Sequence, residues 1–121
     1  MQSKKSAQAI NLELVLAHVG GDRELLAELS AMFIEDYPRL LEELKSSIVQ
    51  SDSSTVERIA HTLKGRLAFF GMTNGMGQAK ELEDMGRAGD LAGAWSALAE
   101  MEAALEVVLP EFQVLSQEQG K

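Results

Sequence analysis

The sequence predicts an all-α fold, an up-down-up-down four-helix bundle with a short additional N-terminal helix. Apolar residues recur at spacings of three and four through most of the chain, which is the helical period. No run of alternating β-branched residues competes with that pattern. Short polar or glycine-containing breaks separate the periodic stretches, and helices joined this way pack antiparallel. At 121 residues without a long Pro-, Gly- or Ser-rich break, the chain reads as one domain.

Residues 1–9 are small and polar and are expected to form a disordered tail, with the bundle at 10–116 and a second disordered tail at 117–121. Residues 10–19 make a short amphipathic piece with Leu12, Leu16 and Val19 on one side. Gly20-Gly21 stops it, and Asp22 is a good N-cap for the next helix. That helix is expected over 23–49, where Leu26, Leu29, Phe33, Tyr37, Leu40, Leu44 and Ile48 form one stripe. Pro38 removes a backbone donor inside it and should kink or divide the helix; the stripe resumes in register, which favours a kink.

The third helix follows the polar turn at 50–54. Ser54 with Glu57 fits a capping box, with Asp52 as a rival cap, and Gly71 suits the left-handed position after its end. A fourth helix opens after Thr73-Asn74-Gly75, with Met76, Ala79, Leu82 and Met85 facing inward, and ends near 86–89. Asp90 is expected to cap the last helix. Its seam is Leu91, Ala94, Leu98, Met101, Leu105, Val108, Phe112 and Leu115, with a possible bend at Pro110.

Composition excludes several functions. No cysteine is present, which removes disulfides, zinc fingers and thiol chemistry. No segment approaches the roughly 18 apolar residues of a membrane span, and no apolar region follows Lys4 and Lys5 as a signal peptide would require. A cytoplasmic protein is the expectation. A net charge of −8, from 11 basic and 19 acidic residues, disfavours nucleic acid and anionic membranes as partners. Against that background, 52–71 sets Arg58, Lys64 and Arg66 against only Asp52 and Glu57.

That least acidic stretch contains the most informative residues. At roughly 100° per residue, Val56, Ile59, Leu63, Leu67 and Phe70 fall in a core sector about 80° wide, and His61 points roughly 160° from its centre. Glu57, Lys64, Gly65 and Ala68 share the side of His61. A neutral imidazole offers a ring nitrogen as a nucleophile, and phosphoryl transfer needs mainly positioning and charge stabilisation. Helical side chains lean toward the N-terminus, so Lys64 leans back over His61, where it can meet phosphoryl oxygens. Gly65 costs about 1 kcal/mol relative to alanine in a helix interior. It lies opposite the core stripe, so close approach of another macromolecule explains it better than packing within the bundle. Ala68 adds a second small residue on that face. Phe69 either contacts a docking partner or covers an edge of the bundle. Arg58 and Arg66 are surface charges or contacts for a partner's acidic pocket, and Glu57 is expected in solvent rather than orienting the imidazole. His18, Trp95 and most methionines read as boundary or core residues. With only two histidines and no metal-ligand spacing, no metal site is expected.

His61, Leu63, Lys64, Gly65 and Gly71 resemble the His-x-Leu-Lys-Gly signature, with its second glycine six residues on, of the histidine-containing phosphotransfer (HPt) domain. Gly20-Gly21-Asp22, Phe33 with Pro38, Ala60, Leu82-Glu83 and Gly89-Asp90 are similar to the habits of the same family, so the likeness runs from about Ile10 to Leu115. The resemblance implies a monomeric phosphorelay intermediate without kinase activity of its own. His61 would accept a phosphoryl group from a receiver-domain aspartate and pass it to another, with Lys64 stabilising the phosphate and Gly65 giving access. Arg58, Ala68 and Phe69 are the candidate partner contacts. The partners implied are response-regulator receivers and possibly a hybrid sensor histidine kinase. The resemblance implies no cofactor in this chain, Mg²⁺ being brought by the receiver. The chain departs from the family pattern at Arg66 and Leu67, where small residues are usual. The alternative is a non-catalytic adaptor bundle with a vestigial phosphorylation site.

Overall fold

The computed structural model describes residues 10–117. Among these it contains five helices and no strand: α1 (Leu12–His18), α2 (Arg23–Val49), α3 (Ser53–Phe69), α4 (Met76–Ala88) and α5 (Ala94–Ser116). Consecutive long helices pack on one another and α2 closes against α5, so the four form a bundle with α1 as the additional N-terminal helix. The expected tails at 1–9 and 117–121 lie outside the described residues, apart from Gln117, which ends α5.

Side-chain caps set most of the helix starts. Asn11 and Asp22 accept from the backbone nitrogens of Leu14 and Leu25, at 3.1 and 3.0 Å. Asp52, not Ser54, caps α3, accepting from the backbone nitrogen and the hydroxyl of Thr55 at 3.2 and 2.7 Å. Asp90 does not cap α5. Its Oδ1 accepts from Ala92 at 3.1 Å and closes a separate turn, so α5 begins only at Ala94 behind Gly93. Both Pro38 and Pro110 lie inside unbroken helices, so neither divides its element.

The apolar stripes of α2, α3 and α5 bury much as their spacing predicts. At the end of α3 an aromatic cluster joins the helices: Phe33 stacks on Phe112 at 4.3 Å, and Phe70 meets Phe112 edge-on at 4.7 Å. Such pairs add to the area they bury and fix relative helix positions. Leu67 is fully buried, as its sector requires, with Gly75 as a small neighbour.

Three assignments change. Ile10, just ahead of α1, and Val15 within it are buried, Leu16 and Val19 are partly buried and Leu12 is exposed, because Asn11 ties the start of this short helix to the end of α3. Met32 is 53% exposed, so it is not among the methionines that pack in the core, and Trp95, expected at the boundary, is 49% exposed. In α4 the buried residues include Glu83 and Gly86, which the apolar pattern passes over.

Candidate functional site

The last turn of α3 sets the frame. Gly71, at φ +69°, lets the chain close a Schellman-type end in which Met72 donates to Leu67 and Gly71 to Ala68, each at 3.0 Å. Two carbonyls that this end would leave open are taken by the N-terminal segment. The backbone nitrogen of Asn11 donates to Phe70 at 3.0 Å, and Nδ1 of His18 lies 2.9 Å from the carbonyl oxygen of Phe69. The helix carrying His61 is therefore tied down past its end.

His61 faces solvent as its wheel position predicts, with 69% of its side chain exposed. Its Nδ1 lies 2.8 Å from Oε2 of Glu83 on α4. A carboxylate only accepts, so Nδ1 donates, and the neutral ring then carries no hydrogen on Nε2. Glu83 is 4% exposed. Its other oxygen lies 2.7 Å from Nζ of Lys64, and Arg87 donates to Oε2 at 3.4 Å. Lys64 and His61, in that order, hold the Glu83 carboxyl at a pKa of about 2, against burial, which pushes it up. One buried carboxylate thus joins the histidine and the lysine.

Glu57 does not orient the imidazole. It pairs with Nε of Arg87 at 3.1 Å, so its charge is spent between α3 and α4 rather than in open solvent. Glu83 lies beyond the reach of any argument confined to α3, because it meets His61 from α4. A signal does exist: Ala79, Leu82, Glu83 and Gly86 share one buried face, and an acid there demands a cationic partner.

Beside His61 runs an apolar groove of about 470 Å³. Leu29, Met32 and Phe33 of α2 line one side; His61, Gly65 and Phe69 of α3 line the other, with Thr62, Arg66 and Phe70. Gly65 is exposed, and a Cβ added there meets nothing within 4 Å. Arg66 is held at the groove by Asp36 at 2.9 Å. Arg58 and Ala68 are exposed but do not line it. Among the described residues no cluster of three or more His, Asp or Glu could hold a metal ion, and no helix is long and apolar enough to cross a membrane.

A protein-family model described as Hpt domain matches residues 28–110. No curated protein and no solved structure matches the chain.

Proposed function

Since this chain belongs to the Hpt domain family, whose members are phosphorelay intermediates rather than enzymes, we propose that His61 is the phosphoryl carrier and Nε2 its reacting atom. The observation that carries this reading is the hydrogen bond from His61 Nδ1 to the buried Glu83 carboxylate at 2.8 Å. The Nε2 lone pair forms the P–N bond while the P–O bond to the receiver's aspartate breaks, and that carboxylate leaves with the bonding electrons. The proton on Nδ1 stays where it is. Positive charge developing on the ring is met by Glu83, already in place. Transfer onward reverses these steps with a second receiver.

Lys64 sits on the same carboxylate. Its remaining N–H bonds are free to turn toward the phosphoryl oxygens, as an ammonium group has three donors. Gly65 keeps the surface beside His61 low, and the apolar groove with Phe69 and Met32 gives the receiver a face to dock against. Arg58 and Ala68, exposed on the same helix, belong to the rim of that face. The relay order from receiver to His61 to receiver, a hybrid sensor kinase as one donor, and action as a monomer are parts of the same proposal. A single chain closing its own four-helix core supports the last of these.

The test is incubation with a receiver domain charged by acetyl phosphate. The chain should gain an acid-labile, alkali-stable phosphoryl group that His61→Gln abolishes. That substitution removes a hydrogen bond to the buried Glu83 carboxylate and should leave the chain folded at a cost of about 1 kcal/mol. A fully folded chain left unlabelled by every receiver tested would leave the adaptor reading in its place.

A further inference from the structure

His18 lies ahead of the matched residues 28–110 and outside the four-helix bundle. Its Nδ1 lies 2.9 Å from the carbonyl oxygen of Phe69, which accepts, so Nδ1 donates. Its ring stacks on the Phe69 ring with centroids 5.0 Å apart and planes 30° from parallel. Phe69 also meets Phe70 edge-on at 5.2 Å, and Phe70 is anchored in the core against Phe33 and Phe112. The half-buried Phe69 is therefore held between the core cluster and one imidazole from α1. Phe69 lines the groove that begins at His61, about two helical turns further along α3.

Resting on the phosphotransfer reading above, we propose that His18 is a positioning residue for partner docking. It fixes Phe69, through backbone and ring together, in the conformation that a receiver meets. A side chain already ordered in the free protein loses less freedom on association, which favours binding without touching the chemistry. The device is also local. Backbone contacts of α1 with the end of α3 come from Asn11, so removing the His18 side chain leaves the anchor of this helix in place.

The experiment measures single-turnover transfer from an acetyl-phosphate-charged receiver domain at increasing receiver concentration. It compares the unaltered chain with His18→Ala, His18→Gln and His18→Phe. His18→Ala is expected to raise the half-saturating concentration roughly three- to tenfold, the effect of releasing one immobilised side chain, with the limiting rate unchanged. His18→Phe keeps the ring stack and should recover most of the loss. His18→Gln keeps only a donor and should recover less. Aromatic ¹³C relaxation should show Phe69 becoming more mobile in His18→Ala, with the bundle still fully folded. Equal half-saturation in all four proteins, or a Phe69 ring as ordered without His18 as with it, overturns the inference alone. An unaltered chain that takes no phosphoryl group from any receiver overturns the phosphotransfer reading, and the docking role with it.

Discussion

A Cβ placed on Gly86 would stand 2.6 Å from the backbone nitrogen of Glu57 and 2.7 Å from the carbonyl oxygen of Ser53. Helices α3 and α4 therefore touch backbone to backbone at this point. One turn along α3 from Glu57 is His61, and one turn back along α4 from Gly86 is Glu83. Because the helices are antiparallel, the glycine contact sets the reach of the Glu83 carboxylate to the imidazole. Gly86→Ala should force the helices apart, at a cost of about 1–3 kcal/mol for overpacking. It should also weaken the bond to Nδ1, read by ¹⁵N NMR as a shift of His61 toward a mixture of tautomers. An unaltered tautomer in a fully folded variant would show that the carboxylate is placed by something else.

Glu83 gives the site a pH dependence whose sign can be worked out. Its carboxyl is held at about 2 in the folded chain, against an ordinary 4.5. A lowered folded pKa stabilises the fold above the ordinary value, and that contribution is lost as pH falls from about 4.5 toward 2. Glu83→Gln removes it. Urea midpoints of the variant should lie below those of the unaltered protein at neutral pH and converge with them in acid. Parallel curves down to the lowest pH would mean that the bonds from Lys64, His61 and Arg87 to Glu83 contribute nothing to stability. Phosphoryl transfer should also slow in this variant, because the ring would charge without a carboxylate beside it.

These two residues mark where the sequence stops being readable. Within one helix, spacing and caps carry far. The stripe of α2, the outward aim of His61 and the left-handed end at Gly71 all follow from short-range rules. Across helices the rules are silent. Gly86 reads as the end of a helix until Ser53 and Glu57 are seen against it, and the spacing within α4 gives Glu83 no partner until α3 is set beside it. Met32 stands outside the core stripe of α2, and the groove beneath it is formed with α3, which the period of α2 alone does not reveal. The turn at Asp90 fails for a related reason: the same carboxylate can close a lone turn or start a helix.

Tyr37 offers a test of the core itself. Its hydroxyl is buried and has no hydrogen-bond partner among the described residues. Burial, and then the charges of Glu102 and Glu106, push its pKa up to about 12 from 10.0. A raised folded pKa means stability is intact below the ordinary value and declines as pH rises from 10.0 through about 12, since the unfolded chain ionises first. Tyr37→Phe lacks that alkaline loss. It should also gain about 1 kcal/mol at neutral pH by removing an unpaired buried hydroxyl. Chemical denaturation at neutral and alkaline pH measures both effects, and a destabilised phenylalanine variant would reveal a partner for the hydroxyl.

Gly65 sets stability against function most directly. A methyl group added there meets nothing within 4 Å, so the fold does not need the glycine. Alanine in a helix interior is favoured over glycine by about 1 kcal/mol, and Gly65→Ala should raise the unfolding free energy by roughly that amount. The glycine also stands one turn from His61 on the groove wall, where a docking surface must come close. Gly65→Ala should therefore be more stable and slower in transfer, and a bulkier Gly65→Leu slower still, with His61 still hydrogen-bonded to Glu83. Stability by denaturation and single-turnover transfer are measured on the same variants. A gain in stability at an unchanged transfer rate would deny Gly65 any part in docking, and its place in the helix would then be a cost without a return.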